Sequence, residues 1–295
     1  MIDTFIKFLT YEKRASPHTI TSYHTDLLQF HSFLKHHAPG LPIVKADHQE
    51  IRAWVVDLAN KQNTARSINR KISTLRSFYK FLQQREYIKQ NPTHKVRALK
   101  ANYPLPHFVQ NNDLFELLDR CEFSKDFPGY RDRLILELFY GAGIRLSELI
   151  NLETSLVNLT EATLRVHGKG AKERIIPFPK SLDTFIERYL AMKNSYFGDN
   201  GVVNHFLLVT NKGDQLYPMM VYRTVRKYLD QYTTIDKRSP HVMRHTFATH
   251  LLNNGADLHA IKDLLGHATL AATQVYTHNT TEELKKIFKQ AHPKA

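Results

Sequence analysis

Between Asn91 and Phe108 the chain reads NPTHKVRALKANYPLPHF, with three prolines, three Lys or Arg residues and no acid. Each proline fixes its own φ and lacks a backbone N–H, so neither a helix interior nor a central strand passes through such a stretch. The 295-residue chain is therefore expected to form two bodies: a domain over residues 1–90, an exposed basic linker over 91–106 and a second domain over 107–295. Before the break the apolar periodicity is helical throughout. It runs through IDTFIKFLTYE, restarts after Ser16-Pro17 in HTITSYHTDLLQFHSFLKHH, and restarts again after Asp47 in HQEIRAWVVDLAN. After the break the pattern is mixed: helices, a β-hairpin in TLRVHGKGAKERIIPFPK, then helices to the end. The expected fold class is mainly α with a small β-sheet in the second domain.

The charge follows the same division. Residues 1–100 hold 17 Lys and Arg against 7 Asp and Glu, whereas the remainder holds 24 against 21. A field concentrated in one third of the chain points to a polyanionic partner such as nucleic acid. A membrane surface is the rival, but no helix pairs a lysine-rich face with exposed bulky apolar residues. The fourth helix, about Thr64 to Arg85, sharpens this. Its apolar stripe is Ile68, Ile72, Leu75, Tyr79 and Leu82, while Arg66, Arg70, Ser73, Ser77 and Lys80 lie opposite. Guanidinium, ammonium and hydroxyl donors on one face suit phosphate oxygens, so Arg66, Arg70 and Lys80 are the expected DNA-binding residues. A solvated surface is the plain alternative, although such faces usually mix signs. The single cysteine, Cys121, excludes a disulfide framework. No apolar run approaches the length of a membrane span and the start has no cleavage-like site, so no membrane partner and a cytoplasmic location are expected.

One helix poses a question. In SPHVMRHTFATHLL, Ser239 and Pro240 form a start signal, with Ser239 as the expected side-chain cap. Met243, Phe247, Ala248, Leu251 and Leu252 then share a face, and Arg244 projects from the middle of it. A buried cation costs several kcal/mol unless an anion meets it. Three further segments carry polar residues of interest. GAGIRLSELINL places Arg145 at a helix start, beside free N–H groups. HGKGAKER holds Lys169 between two glycines at the hairpin tip, where taken alone a surface lysine is the simpler account. LLGHATLAATQVYTHN ends a helix at Gly266, with His267 next and Tyr276 nine residues later. His241 and His245, four apart, raise a metal site, but Val242 stands where a zincin has glutamate and Arg244 would repel a dication. No cofactor is expected.

Together these residues fit transfer at a phosphodiester. Two arginines with histidines clamp the phosphate and offset the charge that grows on its oxygens. A lysine protonates the leaving alkoxide. A tyrosine oxygen attacks phosphorus, and the resulting phosphotyrosine conserves the bond energy for rejoining.

GAGIRLSELINL, HGKGAKERIIPF, SPHVMRHTFATHLLNNGADLHAIKDLLGHATLAATQVYTH and the tail QAHPKA resemble the XerC/XerD group of Xer-type tyrosine recombinases, and the likeness covers nearly the whole chain. The resemblance implies the catalytic set Arg145, Lys169, His241, Arg244, His267 and Tyr276. Tyr276 would form the 3′-phosphotyrosyl link and free a 5′-hydroxyl, Arg145 and Arg244 would hold the phosphate, and Lys169 would protonate the 5′ oxygen. His241 would assist proton transfer at the tyrosine, and His267 would donate to the phosphate. Glu148 fills the family's acidic position and would orient Arg145. The implied fold is a C-shaped clamp, with a helical SAM-like core-binding domain and an α/β catalytic domain around DNA. Four protomers, of this chain alone or with a paralogous recombinase, would exchange strands through a Holliday junction. The terminal helix, with Leu284, Ile287 and Phe288 in one stripe, would dock on a neighbour or pack on its own domain. The stretch TSLVN lacks an acid that relatives often show, which bears on local packing.

The implied role is resolution of chromosome or plasmid dimers at a dif-like site, with the translocase FtsK. Integration or transposition of a mobile element is the alternative with the same chemistry. The first helix begins at about residue 2, leaving no room for the extra arm-binding domain common in phage integrases. A type IB topoisomerase shares the constellation but not the long strings. A regulator that binds without cleaving is disfavoured because all six positions hold competent residues.

Overall fold

A computed structural model describes residues 1–100, 108–167, 173–198, 204–266 and 281–294. Lys169, His267 and Tyr276 lie outside the described residues. The chain divides into two compact units, Met1–Pro104 and Leu105–Ala295.

The first unit is helical: α1 (Ile2–Lys7, continuing as a wider π turn over Phe8–Glu12), α2 (Pro17–His37), α3 (His48–Asn60) and α4 (Ala65–Gln84). The start signals act as their chemistry dictates. Ser16 accepts from the Thr19 N–H, Thr64 from the Ser67 N–H, and Asp47 from Gln49 while Glu50 reaches back to the Asp47 N–H. The predicted stripe of α4 is wholly buried and packs against Leu27, Phe30 and Leu34 of α2 and Ile51, Trp54 and Leu58 of α3. Within that stripe the Tyr79 hydroxyl donates to the Ile43 carbonyl at 2.7 Å.

Two expectations for this unit need correction. Residues 91–99, placed in an exposed linker, are part of the body. Pro92–Lys95 form a 3-10 turn, Val96 is buried, and Arg52 and Arg76 donate to the carbonyls of Lys95 and Val96. Asn69 pairs with both the N–H and the carbonyl of Leu99. The segment's basic side chains do stay exposed, but its backbone is held to the body by donors from α3 and α4. Arg70, placed among residues free to meet phosphate, is bonded through both terminal nitrogens to Asp26, at 2.5 and 2.8 Å. Asp26 is a buried carboxylate that also accepts from Lys71 and Thr74, and a buried charge needs that full set of donors. Arg66 and Lys80 stand exposed on the same face of α4, with no ion pair among the described residues.

The second unit runs α5 (Asn111–Phe115, continuing to Arg120), α6 (Phe127–Ala142), α7 (Leu146–Ile150), β1 (Val157–Asn158), β2 (Thr163–His167), β3 (Glu173–Pro177), α8 (Ser181–Phe197), α9 (Pro218–Tyr232), α10 (Pro240–Asn253), α11 (Leu258–Leu265) and α12 (Thr281–Ala291). The three strands are antiparallel in the order β1-β2-β3, and β2 with β3 forms the expected hairpin. Cross-strand pairs Leu164 with Ile176 and Val166 with Arg174 put those four side chains on the inner face, because side chains alternate along a strand. The expected fold class, mainly helical with one small sheet, is the observed one.

Helix α10 is enclosed on most sides. Thr246 accepts from the Val109 N–H, and the His250 ring donates from Nε2 to the Val109 carbonyl while its Nδ1 accepts from the Tyr140 hydroxyl. Those polar groups, satisfied by the segment leading into α5, turn the buried face past the predicted stripe, so Leu252 is exposed. The Ser239 side chain does not cap the helix either. Its backbone is fully extended, and only its carbonyl serves the first turn, accepting from Val242 and Met243. Helix α12 lies on its own domain: Phe288 is buried, Leu284 and Ile287 pack on the same core, and Asn254 donates to the Ala291 carbonyl.

Candidate active site

Three segments converge beside α10. The first is the exit of α6. Gly143 ends that helix with φ +57°, and a Cβ there would stand 2.4 Å from the Phe247 ring, so both conformation and space demand glycine. The chain then turns into α7, with Arg145 at its N-cap. Glu148 closes that turn by accepting from the Arg145 N–H at 2.8 Å and from its guanidinium at 2.7 Å. The second is the exit of α11, where Gly266 (φ +61°) follows Leu265. The third is the inner face of β3, which brings Arg174.

Arg244 rises from α10 into this junction. One terminal nitrogen donates to the Gly143 carbonyl and the other to the Leu265 carbonyl, each at 2.5 Å. Arg145 donates to the next carbonyl along, Gly266, also at 2.5 Å. The two arginines that the sequence placed 99 residues apart are thus held by three backbone carbonyls, one before α7 and two consecutive ones at the end of α11. Arg244 is 8% exposed and, among the described residues, pairs with no carboxylate. Burial, then the charges of Arg145 and Arg174, push its guanidinium down to about 9, against the opposing pull of Glu148. Three guanidiniums surround one carboxylate, so the junction is short of negative charge. An anion arriving there relieves the repulsion.

Glu148 is the counterweight. Burial alone would raise its carboxyl, but hydrogen bonds from Arg174 and the Arg145 backbone, followed by the Arg174 charge and a hydrogen bond from the Arg145 guanidinium, hold it down to about 2. A carboxyl depressed from 4.5 contributes stability that is complete above pH 4.5 and is lost as pH falls towards 2. The shift corresponds to about 3 kcal/mol as an upper figure. Urea unfolding between pH 7 and pH 2 is expected to show this loss, and Glu148→Gln to flatten it. A variant with an unchanged acid slope would contradict the assignment.

Of the other residues named from sequence, His241 is exposed on the first turn of α10, one turn before Arg244. His245 is half-buried with its ring near the Thr249 hydroxyl, and no group of three metal-ligating side chains occurs among the described residues. One residue at the junction was missed. Arg174 donates to both oxygens of Glu148, at 2.5 and 2.8 Å, and from Nε to the Leu264 carbonyl at 3.2 Å. The signal was present in ERIIP: the alternation that buries Ile176 puts Arg174 on the same face.

The chain is similar to known proteins. The phage integrase family pattern matches residues 107–283, and the phage integrase N-terminal SAM-like domain matches residues 2–86. The tyrosine recombinase XerC of Chlorobaculum parvum is 37% identical, over 100% of this chain and 94% of its own. That of Staphylococcus saprophyticus is 38% identical over 99% and 96%. Among solved structures, XerH recombinase bound to a palindromic difH substrate shares the fold with a TM-score of 0.71 at 20% identity, covering 97% of this chain and 83% of that one. The Tn1549 transposon integrase in complex with circular intermediate DNA gives a TM-score of 0.69 at 21% identity, covering 97% of each.

Proposed function

The chain belongs to the phage integrase family as a Xer-type tyrosine recombinase, an enzyme that cuts and rejoins DNA at specific sites, and from that premise we propose how its residues divide the reaction and which DNA it serves. The observation that carries the division of labour is Arg244: buried, without a carboxylate partner among the described residues, and repelled by Arg145 and Arg174. Such a group is costly in the free protein and is repaid when a phosphate enters.

In this reading the scissile phosphate sits against Arg145 and Arg244, whose guanidiniums offset the charge that accumulates on the non-bridging oxygens. The Tyr276 oxygen attacks phosphorus in line. Its bond to phosphorus forms as the bond to the 5′ oxygen breaks, leaving a 3′-phosphotyrosine and a 5′-hydroxyl. His241 takes the phenolic proton, Lys169 supplies a proton to the 5′ oxygen, and His267 donates a hydrogen bond to the phosphate. Positive charge that a metal ion would otherwise bring comes from the two arginines. Reversal with a different 5′-hydroxyl completes strand exchange. Arg66 and Lys80, exposed on α4, contact the DNA backbone.

The biological substrate in this proposal is a short dif-like site. Four protomers, of this chain alone or with a paralogue, resolve chromosome or plasmid dimers there, in the cytoplasm and under the control of FtsK. Support comes from full-length likeness to proteins named XerC. Recovering protein–DNA adducts from cells and sequencing the attached DNA is the test. A single, imperfectly palindromic locus is the expected result. Scattered loci at the ends of mobile elements would instead assign the enzyme to such an element.

A further inference from the structure

Arg174 lies on the strand that leads out of the hairpin tip, yet its side chain serves the phosphate clamp. It covers both oxygens of Glu148, and Glu148 in turn holds the Arg145 guanidinium and its backbone N–H. The same side chain reaches α11 through the Leu264 carbonyl and lies flat against Gly266, where a Cβ would come within 3.0 Å of its Cδ and 3.1 Å of its Nε. Gly266 in turn accepts from Arg145. Arg174 is 14% exposed at its side chain, and Glu148 is 2% exposed. Four elements therefore meet at one guanidinium: the hairpin, the start of α7, the end of α11 and, through repulsion, Arg244 of α10.

The geometry points to Arg174 as a positioning residue that holds Glu148, and through it Arg145, in the orientation that receives the scissile phosphate. This inference rests on the division of labour proposed above. Two features argue for a positioning role over a general structural one. The fork is bidentate, which fixes the plane of the carboxylate as well as its location. The carboxylate so fixed offers one oxygen to the Arg145 guanidinium and the other to its N–H, so a rotation of Glu148 misaims Arg145 at once. Lysine cannot reproduce this, since one ammonium does not span two oxygens in a plane. Direct contact between Arg174 and the phosphate is not required, because its three donor nitrogens are already committed within the protein.

The test uses the full-length protein and a nicked suicide duplex containing its site. The variants are Arg174→Met, Arg174→Lys, Glu148→Gln and the double variant Arg174→Met/Glu148→Gln. Duplex affinity is expected to stay within about twofold of wild type for all four, while adduct formation by bound protein slows about 30-fold or more in Arg174→Met and about tenfold or more in Arg174→Lys. The double variant is expected to be no more than about threefold slower than the slower single variant, since both changes break one chain of contacts. Arg174→Lys carries the test if the methionine variant does not fold. Cleavage within threefold of wild type in either Arg174 variant overturns the inference. So do multiplicative losses in the double variant, or a loss of affinity as large as the loss of rate. A wild-type protein that forms no adduct would remove the underlying division of labour as well, a result that no Arg174 variant can produce by itself.

Discussion

Arg244→Gln is expected to slow covalent cleavage of a suicide duplex by about 10³-fold, the scale of losing a principal donor to a charged transition state. The same protein is expected to melt within about 2 °C of wild type, or above it. The two halves of this result come from one feature. Arg244 is enclosed, has no carboxylate partner among the described residues, and is repelled by Arg145 and Arg174. Its removal costs two hydrogen bonds to the Gly143 and Leu265 carbonyls, of which glutamine keeps one, and it relieves a buried like-charge contact. A residue kept for packing would behave in the opposite way, with stability falling while the folded protein keeps its rate. Stopped-time adduct assays and a thermal melt on the same preparation separate the two. A melt lowered by 10 °C with cleavage intact would assign Arg244 to the core.

Tyr276→Phe is expected to abolish the adduct altogether, with duplex affinity unchanged. The substitution removes one oxygen, and in the proposed reaction that oxygen makes the bond to phosphorus. The chain holds fourteen tyrosines, and the environments of several others argue against them as nucleophiles. The Tyr79 hydroxyl is buried and committed to the Ile43 carbonyl, that of Tyr140 to His250, and that of Tyr189 accepts from the Val209 N–H. Burial pushes all three phenols well above their ordinary range, which disfavours the phenolate each would need to become. A phenylalanine variant that still becomes linked to DNA would mean another side chain attacks.

The helical elements were legible because each is written in local chemistry. Ser16, Asp47 and Thr64 are side-chain caps that the following N–H groups use, and the stripe from Ile68 to Leu82 is one face of one helix. Arg244 was legible for a related reason, as a charge in an apolar stripe that contradicts its own surroundings. What was not legible depended on long-range partners. Asp26 and Arg70 are 44 residues apart, and nothing near Arg70 announces that a buried carboxylate will take its guanidinium. The same holds for residues 91–99, whose backbone reads as solvated until Arg52, Asn69 and Arg76 supply donors from elsewhere. Arg174 falls between these cases. Its inward direction followed from strand alternation, but its partner Glu148 lies 26 residues away. The hairpin drew notice for its lysine at the tip, and the arginine on its inner face was not singled out.

The phosphate clamp has meaning only if a tyrosine oxygen completes it, so the linkage itself is the most direct measurement. Wild-type protein trapped on a suicide duplex is digested with nuclease and trypsin, and the nucleotide-bearing peptide is sequenced by mass spectrometry. The account predicts the fragment from Asp263 to Lys285, which contains a single tyrosine, carrying a 3′-linked nucleotide on Tyr276. A nucleotide found on any other side chain, or joined through a 5′ phosphate, would contradict it.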